Sequence, residues 1–254
     1  MRAPSPRMRE PRDVLRSLGN ALTILEAFDL DHPELGVSDL ARRLGLAPST
    51  VHRLLNSLAA HRFVESTERR TYRLGLRAIE VGALALQHRG FGEAIQPALE
   101  EVSRATNETV NVAILDGDEI VYVAVLESKA VLRPYFAVGQ RGPAALTALG
   151  KALLAWGTDE ATWPEERRAE LERIQREGVA YDLEDSEPGV RCLAVPIMGR
   201  HGRPVAAISV AGPAARLTRK AMRSAISPLR LASETIAGTI SLRGAERSPR
   251  QRER

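Results

Sequence analysis

The stretch from Ala41 to Leu58, Ala-Arg-Arg-Leu-Gly-Leu-Ala-Pro-Ser-Thr-Val-His-Arg-Leu-Leu-Asn-Ser-Leu, constrains the fold more than any other part of the chain. Val51, Leu54, Leu55 and Leu58 fall at i, i+3, i+4 and i+7, while Ser49, His52, Arg53 and Asn56 repeat that spacing two residues out of phase. A helix built here carries an apolar stripe on one face and a hydrogen-bonding stripe on another. Pro48 suits the first helical position, where its missing N–H costs nothing, and Gly45-Leu46-Ala47 forms a tight turn after a shorter amphipathic helix from Ser38 to Leu44. Together they read as a helix-turn-helix.

A polar helix face often does no more than meet water. Ser49, Thr50, His52, Arg53 and Asn56, however, are short hydroxyl, amide or planar cationic groups gathered in the first two turns, the end that a recognition helix presents to the major groove. A solvating face more often uses Lys and Glu. Charge supports the nucleic-acid reading. Residues 17 to 41 hold Glu26, Asp29, Asp31, Glu34 and Asp39 and no Arg or Lys, whereas residues 42 to 73 hold seven arginines against Glu65 and Glu68. Such a basic block supplies phosphate-binding, salt-dependent affinity for double-stranded DNA.

At 254 residues the chain suits two domains, and 44% hydrophobic with 27% charged residues is a globular composition. The net charge is +4, and 33 of the 36 basic residues are arginine, which favours bidentate contacts to phosphate, guanine and carboxylate but also follows from base composition. The single cysteine, Cys192, excludes an intrachain disulfide and a cysteine-based zinc site. Residues 1 to 16 are rich in Arg and Pro without an apolar run, and no stretch approaches a membrane span, so the expectation is a cytoplasmic protein. Residues 1–16 and 243–254, with five arginines each, read as disordered basic tails.

Residues 17–75 are expected to form a winged helix-turn-helix. Ser17 to Asp29 is a helix presenting Ala21, Leu22, Leu25 and Phe28, and Phe63–Glu65 with Thr71–Leu74 form the hairpin of a wing carrying Arg69, Arg70 and Arg73. Residues 76–90 read as a linker helix that serves dimerisation, interdomain packing or both. Residues 91–242 follow as an α+β domain. A helix carries Ile95, Leu99 and Val102, then strands Thr109–Leu115 and Glu119–Leu126 flank the hairpin signal Asp116-Gly117. A third strand is expected at Val131–Phe136, at a sheet edge because of Pro134. Helices Thr147–Trp156 and Pro164–Glu177, strands Arg191–Met198 and Val205–Ala211, and a helix from Thr218 to Leu242 interrupted at Pro228 complete the domain.

Gly-Leu-Ala-Pro-Ser-Thr-Val-His-Arg-Leu-Leu (45–55), Tyr-Arg-Leu-Gly (72–75), Glu-Thr-Val-Asn-Val-Ala-Ile-Leu-Asp-Gly (108–117), Ala-Leu-Gly-Lys-Ala-Leu-Leu-Ala (148–155), Gly-Val-Arg-Cys-Leu-Ala-Val-Pro-Ile (189–197) and Ala-Ala-Ile-Ser-Val-Ala-Gly-Pro (206–213) follow in this order. Over residues 17 to 240 the chain resembles the IclR family of bacterial transcriptional regulators. The resemblance implies a winged helix-turn-helix joined to a GAF-like α/β effector-binding domain, assembled as homodimers or homotetramers, with repressors and activators both represented. In members that bind small carboxylates, the pocket lies on the GAF-like sheet. Carried over, it uses the backbone amides of Ala148 and Leu149, the side chains of Asp182, Cys192 and Ser209, and the position of Ala211. The start of the helix at Thr147 independently suits an anion, since its first N–H groups lack partners. Three departures stand out: Ala211 replaces a polar group and makes a less polar effector plausible, the stretch from Trp156 to Leu171 is short, and Gly178-Val179-Ala180 stands where the family has Gly-Tyr-Ala.

Enzymatic readings find little. Gly150-Lys151 resembles the end of a phosphate-binding loop, but Ala145 and Ala152 replace its glycine and its hydroxyl. Cys192 lies in an apolar run typical of a packed thiol, and His32, His52, His61, His88 and His201 lack ligand spacing, so neither metal nor cofactor is expected. The rival function is a DNA binder whose second domain serves only oligomerisation, with Asp182 and Ser209 as structural residues.

Overall fold

The computed structural model describes residues 15–157, 165–199 and 201–246. Of the tails expected at 1–16 and 243–254, residues 1–14 and 247–254 lie outside the described residues, while Arg16 and residues 243–246 are helical. The chain divides into two compact units, residues 1–85 and 86–254.

In the first unit, α1 (Arg16–Glu26), α2 (Val37–Leu44) and α3 (Pro48–Ala60) precede a hairpin of β1 (Val64–Ser66) and β2 (Tyr72–Leu74). Gly45 caps α2 in the left-handed region at φ 65°, a conformation glycine adopts without a Cβ penalty, and Pro48 opens α3. The core comprises Ile24, Phe28, Leu35, Leu40, Ala41, Val51, Leu55 and Val64. The expected stripe of α1 is therefore corrected: Ile24 and Phe28 are buried, Leu25 is partly buried, and Leu22 is 50% exposed. Leu35 pairs with Tyr72 through two backbone hydrogen bonds of 2.9 and 2.8 Å, which tie the wing to the segment before α2. Gly75 must be glycine, because a Cβ there would lie 2.3 Å from the carbonyl oxygen of Arg62. Helix α4 (Leu76–His88) follows and buries none of its residues.

The second unit is an antiparallel six-stranded sheet in the order β5-β4-β3-β8-β7-β6. Its strands are β3 (Thr109–Asp116), β4 (Glu119–Leu126), β5 (Arg141–Pro143), β6 (Ala180–Leu183), β7 (Val190–Met198) and β8 (Pro204–Pro213). One face packs against α5 (Gln96–Thr106) and α8 (Arg219–Glu246) through Val110, Val112, Leu193, Ile208 and Val210. The other packs against α6 (Ala148–Gly157) and α7 (Glu165–Glu177) through Ala113, Ala180, Ala194 and Ala207. Alternation along β8 therefore directs Ser209 and Ala211 to the α6 side.

Three expectations are corrected here. Val131–Phe136 forms no strand; β5 takes the edge beside β4 instead, and Val131 and Leu132 are exposed. The intervening loop is held by the Ser128 hydroxyl, which donates to the Asn107 carbonyl at 2.7 Å and accepts from the Ala130 N–H at 3.1 Å. Helix α8 runs through Pro228 without interruption and continues over residues 243–246. Its buried face, Met222, Ala225, Leu229, Ala232 and Ile236, holds the helix together across the lost backbone hydrogen bond. Strand β6 adds to the expected set.

Candidate functional site

Burial of Val51 and Leu55 turns the opposite face of α3 outward, so that Ser49, His52, Arg53 and Asn56 are exposed and Thr50 is half-buried. Asn56 Nδ2 lies 3.3 Å from His52 Nδ1, a contact that holds the two side chains side by side one turn apart. Across the hairpin, Thr67 and Arg70 close the wing tip, with Arg70 in the left-handed region at φ 60°. Arg53, Arg69 and Arg70 enter no ion pair among the described residues. Arg73 differs from the other wing arginines: it pairs with Glu65, directly opposite on β1, at 2.6 Å. Its charge therefore has a carboxylate neighbour, which Arg69 and Arg70 lack among the described residues. Arg43, exposed in the last turn of α2, is a further cation, outside the polar stripe of α3.

In the second unit, the sheet brings Asp182, Cys192, Ala211 and Thr109 into one row across β6, β7, β8 and β3. The adjacent row holds Ala194, Ser209, Asn111 and Val125. Over these rows stands α6, whose first residues Ala148 and Leu149 are buried. Thr147 caps that helix: its hydroxyl accepts from the Gly150 N–H at 3.1 Å and donates to the Pro143 carbonyl at 3.1 Å. The amides of Ala148 and Leu149 precede the point where a helix satisfies its own donors. They are suited to an anion.

Asp182 is fully buried, and its carboxylate accepts from the Asp185 N–H at 2.8 Å, the Ser186 N–H at 3.3 Å and the Ser186 hydroxyl. It thus organises its own turn, the structural role that the rival reading gives it. Burial, with Asp182 and Glu187 nearby, pushes the half-buried Cys192 thiol well above its usual range. A neutral thiol among carboxylates is a poor nucleophile. Tyr122 is also buried, and desolvation together with Cys192, Asp182 and Glu187 keeps its hydroxyl protonated. Its ring stacks at 5.2 Å on Phe136, giving the polar rows an aromatic neighbour.

Sequence reasoning missed Asn111, Tyr122, Phe136 and Lys151. The last carried a usable signal, a lone lysine inside an apolar helix. Lys151 is 1% exposed and donates to Asp185 at 2.5 Å, to the Tyr181 carbonyl at 3.0 Å and pairs with Glu170 at 3.0 Å. Gly150 beside it allows α6 to approach Ala144, whose carbonyl oxygen would lie 2.2 Å from a Cβ. The Gly-Lys pair is thus a packing device and not a phosphate cradle. An open hollow of about 520 Å³ elsewhere in this unit is lined by Phe91, Ile95, Gln96, Val123, Val125 and Val138, with no charged side chain to hold a carboxylate. Among the described residues, no group of His, Cys, Asp and Glu is placed to hold a metal ion, and no helix is long and apolar enough to cross a membrane.

Residues 83–238 match the family Bacterial transcriptional regulator IclR C-terminal, and residues 17–68 match the IclR helix-turn-helix domain. The HTH-type transcriptional regulator XynR of Escherichia coli (strain K12) is 33% identical over 216 residues, covering 78% of this chain and 86% of that protein. Among solved structures, an IclR transcriptional regulator from Silicibacter sp. TM1040 superposes with a TM-score of 0.75 at 29% identity, covering 88% of this chain and 96% of that one. An IclR homologue from Microbacterium hydrocarbonoxydans, complexed with 4-hydroxybenzoate, shares the fold with a TM-score of 0.78 at 24% identity, covering 88% and 98%.

Proposed function

The chain belongs to the IclR family of bacterial transcriptional regulators, and from that premise we propose that it reads a specific operator with α3 and is controlled by a small carboxylate held under α6. One observation carries the DNA half of this reading: burial of Val51 and Leu55 commits α3 to an orientation in which Ser49, Thr50, His52, Arg53 and Asn56 meet base edges. Arg69 and Arg70 then lie along the phosphate backbone and add affinity that does not depend on sequence. Arg73 contributes less because Glu65 holds it.

The effector enters through the amides of Ala148 and Leu149, with Ser209, Cys192 and the Ala211 position forming the floor and Asp182 fixing the adjoining turn. A carboxylate matches the two unsatisfied N–H groups and the positive end of α6. A homologue of the same fold has been solved with 4-hydroxybenzoate, which is a carboxylate. Assembly as a homodimer or homotetramer is supported by α4, where Leu76, Ile79, Val81 and Leu84 are exposed. A dimer places two readers on two half-sites, and an effector switches it only by binding one arrangement of those readers better than the other. The protein acts on DNA in the cytoplasm and carries out no catalysis.

A second reading, in which the sheet domain serves assembly alone, draws on the carboxylate of Asp182, which accepts three hydrogen bonds from its own turn. Binding of the full chain to its own promoter region and to random DNA, across a salt series and with a panel of organic acids, separates the two. Specific binding altered by one acid supports effector control. Specific binding indifferent to every acid supports the second reading, and equal binding to both DNAs overturns sequence-specific regulation.

A further inference from the structure

The wing tip, Glu68-Arg69-Arg70, lies between Thr67 and Thr71, whose backbones close it: the Thr67 N–H donates to the Thr71 carbonyl at 2.9 Å and the Arg70 N–H to the Thr67 carbonyl at 3.1 Å. The side chains close it a second time. Thr67 Oγ1 lies 2.6 Å from Thr71 Oγ1, and the Thr71 hydroxyl donates to Glu34 Oε2 at 2.8 Å. A carboxylate only accepts, so the Thr71 proton goes to Glu34 and the Thr67 proton goes to Thr71. Glu34, 37 residues earlier in the chain, thus sets the direction of both bonds. It reaches Thr71 from a fixed segment, because the adjoining Leu35 is buried and bound to Tyr72 by two backbone hydrogen bonds.

Electrostatics alone argues against a glutamate in this place. Glu34 is exposed and enters no ion pair among the described residues, and a free negative charge in a helix-turn-helix unit opposes the phosphates of DNA. What it does offer is an anchor for the tip. Arg70 sits in the left-handed region at φ 60°, where few non-glycine residues rest unless their surroundings hold them. A tip already fixed in one conformation also loses less freedom when its arginines meet a phosphate. We propose that Glu34 is a positioning residue for DNA binding, which through Thr71 and Thr67 holds the wing tip in the conformation that presents Arg69 and Arg70 to the phosphate backbone. This rests on the reading of the wing given above.

Charge and position predict opposite signs at Glu34. Removal of the carboxylate charge tightens binding to DNA, whereas removal of the hydrogen bond weakens it. Full-length Glu34→Gln keeps an oxygen that accepts from Thr71 but loses the charge, so by fluorescence anisotropy it is expected to bind operator and random DNA at least as tightly as wild type. Glu34→Ala and Thr71→Val each lose the bond and are expected to weaken binding to both DNAs by about threefold, with the double variant no weaker than Thr71→Val alone. In an Arg69→Ala/Arg70→Ala background, Glu34→Ala is expected to cause no weakening, a dependence that a general structural role would not show. Thr67→Val breaks the same chain one bond further on should Thr71→Val disturb the hairpin. Glu34→Ala binding as tightly as wild type, or a weakening that persists without the two arginines, overturns the positioning role and leaves the wing reading intact. Unchanged affinity of the Arg69→Ala/Arg70→Ala protein overturns the wing reading and this inference with it.

Discussion

Lys151 Nζ lies 2.5 Å from Asp185 Oδ2 with the lysine side chain 2% exposed, and the same ammonium reaches Glu170 and the Tyr181 carbonyl at 3.0 Å each. One cation thus joins α6 to α7 and to the turn that Asp182 organises. Its three acceptors satisfy an ammonium that burial alone would penalise. Lys151→Met is expected to lower the unfolding free energy by about 1–3 kcal/mol, less than for a wholly buried pair because both carboxylates keep contact with water. Urea denaturation at neutral pH measures it, and an unchanged midpoint contradicts the clamp.

Cys192 and Tyr122 predict an alkaline weakness. Burial raises both native pKa values above those of the unfolded chain, whose thiol and phenol ionise near their usual 9.0 and 10.0. Well below pH 9.0 both groups are protonated in both states, and the stability is fully present. As pH rises further the unfolded chain releases its protons first, so stability falls toward the native values. Cys192→Ala and Tyr122→Phe should each flatten that fall over about pH 9–11 in urea titrations. Parallel slopes for variants and wild type would contradict the shifts.

What could be read from the sequence divides along physical lines. Local signals worked where a residue answers a local demand: Gly45 and Pro48 bound a turn, and the Asp116-Gly117 pair closes β3 on β4 with Gly117 at φ 66°. They failed where partners distant in the chain decide. Arg141-Gly142-Pro143 has no strand character of its own and becomes β5 by pairing with Glu119, Ile120 and Val121. Val131–Phe136 has that character and finds no strand to join. Pro228 breaks helices in isolation, but the packed face of α8 outweighs the missing N–H. At the candidate site, Asp182 and Ser209 are expected only through the resemblance, and strand pairing puts them in neighbouring rows of the sheet. Lys151 and Glu34 become significant only through what they touch after folding.

Helix α4 gives a prediction about assembly. Ile79 is 68% exposed and Leu84 53%, although both are large apolar side chains on a helix with no buried residue. If α4 meets a second copy, Ile79→Glu combined with Leu84→Glu buries two unpaired carboxylates in that contact, which costs far more than a lost methylene. The variant is expected to shift toward monomer by light scattering and to lose operator affinity, with melting of each chain little changed. An unaltered mass places the assembly contact elsewhere.

If the wing supplies affinity and α3 sequence choice, Glu65 provides a way to observe it. Arg53 on α3 is exposed and unpaired among the described residues, so a bidentate contact to a base edge is open to it. Arg53→Ala should cost about 1–3 kcal/mol on the operator and little on random DNA, whereas Arg70→Ala should weaken both alike and reduce the salt slope by about one. Arg73→Ala should do less than Arg70→Ala, because its guanidinium is already held by Glu65. Glu65→Ala removes one negative charge beside the backbone and releases Arg73 to a phosphate, so it should tighten binding to operator and random DNA together and steepen the salt dependence. Fluorescence anisotropy with both DNAs over a salt series reads all four variants. If Glu65→Ala weakens binding instead, the Arg73–Glu65 pair serves to shape the wing, and the arginine's affinity for phosphate is not what the carboxylate restrains.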